Sequence, residues 1–243
     1  MIKREENAEE EVRPMDAKDK RRRKKRRSRL RDIIAITSLC ILMTAIVGTM
    51  LFSVLKHKRE APFGFSYYTI APPPITEKLL TPNNYSRSEK PLKKVKGIVI
   101  HYTANPGTSA NANRNYFENL RLQTKTSASS HFVIGLDGEI IQCIPLDEIA
   151  FASNDRNDDT ISIECCHPDA TGKFNQKTYD SLVALSAWLC SKYGLDKRDL
   201  LRHYDVTRKL CPLYYVKHED AWKALKDDII TYLKEKEASA ELD

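Results

Sequence analysis

Glycine is scarce, with 8 residues in a chain of 243. That excludes a collagen-like repeat, and 41% hydrophobic residues exclude a chain that is disordered throughout. No internal repeat is visible. Positive charge is missing where a nucleic-acid-binding domain would need it. Residues 60–243 carry 23 basic and 25 acidic side chains, a net of −2. The formal +7 of the whole chain comes from residues 1–59, which hold 17 basic and 8 acidic groups, a net of +9. No nucleic-acid partner is expected. The length exceeds the ~150 residues of one ordinary domain and falls short of two large ones.

Charge is absent altogether from Ile33 to Leu55, 23 consecutive residues. As a helix this run would be about 34 Å long, enough for a hydrocarbon core of about 30 Å. A cleaved signal peptide would have a shorter apolar region and a small-x-small exit. The exit here is Val54-Leu55-Lys56-His57-Lys58-Arg59. The stretch Lys18–Arg31 places 11 basic residues in 14 positions ahead of the run, against three just after it (Lys56, Lys58 and Arg59). The bias predicts a single-pass signal anchor with the N-terminus cytoplasmic and residues 60–243 outside. The basic arm would then lie against anionic lipid headgroups.

Six of the eleven prolines fall between residues 56 and 95: Pro62, Pro72-Pro73-Pro74, Pro82 and Pro91. Repeated proline keeps the backbone extended, which predicts a tether that becomes ordered near Tyr85-Ser86-Arg87. From Val95 the pattern changes. Gly97–Tyr102 reads as a strand ending at the loop signal Asn105-Pro106-Gly107, and Asn111–Leu122 as a helix with Tyr116, Phe117 and Leu120 on one side. His131–Ile134 and Glu139–Gln142 flank Asp137-Gly138, a hairpin signal. Thr160–Cys166 alternates, with Ile161, Ile163 and Cys165 facing one way and Ser162, Glu164 and Cys166 the other. Asn175–Tyr193 reads as a helix with Leu182, Leu185 and Leu189 inward and Gly194 as its C-cap. A short strand, Leu200–Arg202, leads to His203. An amphipathic helix, Glu219–Lys236, closes the chain through Trp222, Leu225, Ile229, Ile230 and Leu233.

The expected fold class is therefore α/β: a single domain with a mixed central sheet flanked by helices, preceded by one N-terminal transmembrane helix. The expected boundaries are a basic cytoplasmic tail at 1–32, a signal anchor at 33–55, a proline-containing tether at 56–94 and a folded domain at 95–243. The expected state is a monomer.

Two strand ends carry histidine. His101 closes the first strand and His203 follows the short one, with Cys211 eight residues further on. Two imidazoles and a thiolate suit Zn²⁺ and leave a fourth position open, the mark of a catalytic rather than a structural site. Spacing alone leaves open a buried structural histidine and an inert cysteine, because 102 residues separate His101 from His203.

Four stretches in order bear on that choice: Ile98-Val99-Ile100-His101-Tyr102-Thr103, Ser129–Ile134 before Asp137-Gly138, Ile161-Ser162-Ile163-Glu164, and His203 to Cys211. With them, residues 95–216 resemble the zinc-dependent N-acetylmuramoyl-L-alanine amidases of the type 2 family. That family includes phage lysozyme amidases and shares its fold with peptidoglycan recognition proteins. The resemblance implies that His101, His203 and Cys211 hold zinc. It implies peptidoglycan as substrate, cleaved between the lactyl group of N-acetylmuramic acid and L-alanine of the stem peptide. It further implies that Glu164 is the general base and that Lys209 stabilises the tetrahedral intermediate. Phage lysozymes place a tyrosine where this chain has Ser130, which shifts the weight to Glu164. The alternative reading is a membrane-anchored domain that binds or senses peptidoglycan without cleaving it. Non-catalytic relatives typically lose the cysteine ligand, and this chain keeps Cys211.

His131 reads as a structural hydrogen-bonding residue at the start of a hairpin strand, and His167 is left outside the site. Beyond Cys40 in the apolar run, the remaining cysteines are Cys143, Cys165, Cys166, Cys190 and Cys211. A core of about 150 residues needs no disulfide framework, Cys165 and Cys166 are adjacent, and Cys190 lies mid-helix. Free thiols are expected, as would suit a reducing or anaerobic habitat.

Overall fold

The structure, a computed structural model, describes residues 70–240 except Thr124, together with six isolated positions between residues 25 and 44. The expected span at 33–55 and its basic flank fall almost wholly outside the described residues. Among the described residues, no helix is long and apolar enough to cross a membrane.

Six strands form one mixed sheet in the order β1-β4-β3-β5-β2-β6. They are β1 (Ile75–Glu77), β2 (Gly97–Tyr102), β3 (Phe132–Ile134), β4 (Ile140–Gln142), β5 (Thr160–Cys165) and β6 (Leu200–Arg202). The β3–β4 hairpin is antiparallel and every other pair is parallel. The hairpin forms where Asp137-Gly138 signals it, with Gly138 at φ 85°. A side chain there would be strained by that dihedral and would crowd Ser181 and Lys177 of the neighbouring helix.

One face of the sheet packs on α2 (Gln176–Tyr193) and α5 (Glu219–Ala240). Ile98, Ile100, Phe132, Ile161 and Ile163 meet Leu182, Leu185, Leu189, Trp222, Leu225 and Ile229 there. The other face packs on α1 (Ala110–Asn119) and the turn after it, through Val133, Ile141, Cys143, Cys166, Phe117 and Leu120. Strand β5 alternates as its sequence requires, with Ile161, Ile163 and Cys165 toward α2 and α5, and the residue after the strand, Cys166, lies toward α1. The helices are capped by their own sequence. Ser109 accepts from Ala112 N–H at the start of α1, and Asn175 accepts from Thr178 N–H at the start of α2. Gly194 ends α2 in the left-handed conformation. Tyr116 does not share the side expected for it with Phe117 and Leu120. The buried positions of α1 are Ala110, Asn113 and Phe117, and Tyr116, one residue or about 100° round the helix from Phe117, is exposed.

Folded structure is present ahead of the boundary expected at residue 95. Residues 75–77, assigned above to the tether, form β1 and pair with β4 in register Ile75↔Ile140. Leu80 and Leu92 are buried. Around the expected ordering point, Asn83 Oδ1 accepts from the backbone N–H groups of Tyr85 and Ser86. Arg87 donates two hydrogen bonds to Glu148 and a third to the Leu80 carbonyl. Proline rules out helix but not an extended edge strand, and here the extended segment finds a sheet edge to pair with.

The histidine read as structural is so. His131 is buried, and Ser162 N–H donates to its Nδ1 at 3.0 Å. Nδ1 is thereby an acceptor, so Nε2–H donates to the Glu148 carbonyl at 3.0 Å. Burial holds its pKa down at about 4. The folded state therefore binds this proton less readily than the unfolded chain, whose value is 6.5. Its contribution is complete above pH 6.5 and is lost as pH falls toward 4, to the extent of up to about 3 kcal/mol. Unfolding free energies measured by denaturant between pH 7 and 4 should fall less steeply in His131→Leu than in the wild type. Equal slopes would contradict this assignment.

Candidate metal centre and active site

The parallel neighbours β5, β2 and β6 have their C-terminal ends on the same side of the sheet. His101 on β2 is directly beside Glu164 on β5. On the other side of β2, Ile100 pairs with Arg202, the last residue of β6. His203 is the next residue and begins α3 (His203–Thr207). Strand order thus closes the 102-residue gap that spacing left open. Arg202 holds this corner. Its guanidinium, buried against Trp222, donates to both carboxylate oxygens of Asp205, to Glu219 and to the Tyr215 carbonyl.

After α3 the chain reverses at Arg208, φ 66°. Tyr204 N–H donates to the Cys211 carbonyl at 2.9 Å, which returns the thiol to the histidines. A further helix, α4 (Leu213–Lys217), follows. Cys211 Sγ lies 3.7 Å from His101 Nδ1, and the two imidazole rings meet edge to face at 4.7 Å. One donor atom from each of His101, His203 and Cys211 lies within 4.8 Å of the other two, and all three residues are buried. His203 Nδ1 is buried with no hydrogen-bond partner. A buried lone pair without a partner is costly in a pure protein site and is what a metal ligand requires. The donor set therefore fits a metal ion.

The electrostatics agree. Burial, then His203 and Lys209, hold His101 well below its ordinary value, and burial and Lys209 lower His203. Both rings are neutral at pH 7, as metal binding demands. Burial, helped by Glu164, pushes the Cys211 thiol up to about 12, so its deprotonation awaits a cation. Burial likewise raises Glu164 to about 8, against the pull of Lys209. Glu164 Oε2 is buried without a partner, a free carboxylate oxygen beside the triad. Lys209 is exposed at the rim, and its charge acts on all four groups.

His101, Glu164, His203 and Cys211 thus gather at the C-terminal ends of β5, β2 and β6, and Lys209 precedes Cys211 by two residues. Ser130 is buried and donates to Ser162 Oγ. His167 lies apart from the donor triad, against the Tyr102 ring with Nδ1 on the Asp169 carbonyl. The five cysteines from Cys143 to Cys211 are unpaired. Sequence reasoning missed Ser153 and Asn154. Ser153 Oγ is 3.3 Å from His101 Nε2, and Asn154 Oδ1 is 3.1 Å from His203 Nε2. They sit in a polar stretch, Ser153–Asp159, that reads locally only as a loop.

A profile of the family described as N-acetylmuramoyl-L-alanine amidase matches residues 91–213. The chain is 32% identical over 179 residues to N-acetylmuramoyl-L-alanine amidase CwlL of Bacillus licheniformis, covering 68% of this chain and 49% of that protein. It is 31% identical over 186 residues to N-acetylmuramoyl-L-alanine amidase BlyA of Bacillus subtilis, again with 68% and 49% covered. It thus spans about half the length of the curated relatives it matches. Among solved structures, the catalytic domain of XlyA aligns at 27% identity with a TM-score of 0.54, covering 65% of this chain and 99% of that one. The catalytic domain of PlyG aligns at 26% identity with a TM-score of 0.55, covering 66% and 96%. With that profile spanning half of the sequence and the His-His-Cys cluster where the four motifs placed it, the chain belongs to the N-acetylmuramoyl-L-alanine amidase family.

Proposed function

We propose that this chain is a zinc-dependent peptidoglycan hydrolase that cleaves the amide between N-acetylmuramic acid and L-alanine of the stem peptide. One observation carries the reading: three buried donors, His101, His203 and Cys211, converge beside a carboxylate oxygen of Glu164 that has no other partner. His101, His203 and Cys211 would hold the ion. Bound there, zinc supplies Lewis acidity, acidifying water and polarising an amide carbonyl.

The protein's own groups do the rest. Glu164 takes the proton of the attacking water and passes it to the departing alanine nitrogen, and its raised proton affinity suits that exchange near neutral pH. Lys209, at the rim, faces the negative charge that develops on the carbonyl oxygen. Retention of Cys211, Glu164 and Lys209 together favours hydrolysis over a binding-only role. The expected product is new amino-terminal alanine on purified peptidoglycan, without new reducing sugar ends. End-group labelling reads both, and reducing ends without alanine would sink the proposal.

Residues 33–55 would anchor the chain in the cell membrane, with 1–32 cytoplasmic and the monomeric hydrolase facing the wall. The charge-free run and the basic excess ahead of it support this topology. A reporter fused after residue 60 should be active only outside the membrane, and cytoplasmic activity would reverse the assignment.

A further inference from the structure

We infer that Ser153 and Asn154, consecutive residues of the loop before β5, are positioning residues that hold both histidine donors in the tautomer with Nδ1 unprotonated. The inference rests on the metal-dependent reading above and assigns a role to residues outside the donor triad.

For His203 the argument is one of valence. An amide oxygen only accepts, so the contact from His203 Nε2 to Asn154 Oδ1 at 3.1 Å puts the ring proton on Nε2. Nδ1 is then a bare lone pair, and it is the buried atom left without a partner. For His101, Nδ1 faces the Cys211 sulfur at 3.7 Å while Nε2 meets Ser153 Oγ at 3.3 Å. With its Nδ1 turned to the donor cluster, His101 donates from Nε2 to the serine hydroxyl. Ser153 is buried, so no water competes for that contact.

Two adjacent side chains reach two rings because the backbone reverses between them. In an extended segment, successive side chains leave on opposite sides. Here Ser153 is at φ −124° and ψ 23°, and Asn154 is at φ 52°, a left-handed conformation that asparagine tolerates better than most residues. Asn157 braces the reversal. Its Oδ1 accepts from Ala152 N–H at 3.0 Å and Ser153 N–H at 2.6 Å, and its own N–H donates to the Asn154 carbonyl. Outer partners of this kind typically set metal affinity by about 10–100-fold.

The test uses the full-length chain in mild detergent, with zinc affinity measured by chelator competition. Ser153→Ala and Asn154→Gly should each bind zinc about 10–100-fold more weakly. Glycine keeps the left-handed backbone, so that loss reports the amide alone. Asn154→Asp keeps the acceptor and should bind at least as well as a few-fold below wild type. In wild-type protein labelled with ¹⁵N-histidine and loaded with zinc, long-range ¹H–¹⁵N spectra should place the ring protons of His101 and His203 on Nε2. A purely structural loop would not dictate that signature. Protons on Nδ1, or full zinc affinity in both weakened variants, would overturn the inference while leaving a zinc-binding, hydrolytic wild type intact. A wild type that binds no zinc would overturn the functional reading as well. If a variant's circular dichroism shows it unfolded, the wild-type spectrum decides alone.

Discussion

Replacing Glu164 by glutamine should lower the rate of amide hydrolysis by about 10²–10⁴-fold while zinc stays bound, because the change removes a proton acceptor and spares the three donors. The pH profile should change with it. Wild-type activity should rise with pH along an acid limb as Glu164 loses its proton, and Glu164→Gln should lack that limb. In the metal-free protein the same carboxyl has a folded value of about 8 against 4.5 for the free group. The folded state therefore binds its proton more tightly than the unfolded chain. That contribution is fully present below pH 4.5 and is lost as pH rises toward 8. Metal-free Glu164→Gln should consequently lose less stability than wild type across that window in denaturant titrations. Unchanged activity, or loss of activity only through loss of zinc, would remove Glu164 from the reaction.

The second large effect is expected at Cys211. Cys211→Ala should lower zinc affinity by more than about 100-fold, beyond what loss of an outer partner causes, and reduce hydrolysis to background. The chain should still fold, because the substitution leaves the Cys211 carbonyl to receive Tyr204 N–H and removes from the thiol the His101 contact and a backbone hydrogen bond from Tyr102. Metal content by mass spectrometry, far-UV circular dichroism and product release separate the three quantities. Chelation of the wild type should reproduce the defect, and added zinc should reverse it. A Cys211→Ala protein that hydrolyses peptidoglycan normally would exclude the proposed donor set.

Much of this was legible from local chemistry. Asp137-Gly138 specifies its hairpin, because few other residues adopt the dihedral that Gly138 holds. Asn175 and Gly194 bracket α2 through caps that need only their neighbours. The alternation along β5 places Glu164 on the side away from the α2 and α5 core without any knowledge of what lies there.

The rest depends on contacts distant in sequence. Strand β1 has three residues, and its identity comes from pairing with β4 across 65 positions, which no local pattern records. His101 and His203 become neighbours only through the strand order β5-β2-β6, so their spacing alone leaves inert alternatives that the motif series narrows. Arg202, Asp205 and Glu219 form a clamp beneath His203 that a list of charges does not reveal. Ser153 and Asn154 carry no local mark, since what distinguishes them is the pair of rings they touch.

The most direct test of the central claim is to digest purified peptidoglycan with the zinc-loaded full-length chain in H₂¹⁸O and locate the label by mass spectrometry. Water attack on the lactyl amide carbonyl predicts one ¹⁸O in the lactyl carboxylate of the muramic acid, with unlabelled stem peptides beginning at L-alanine. Label at a sugar reducing end, or in a carboxylate within the stem peptide, would show that a different bond is broken and contradict the account.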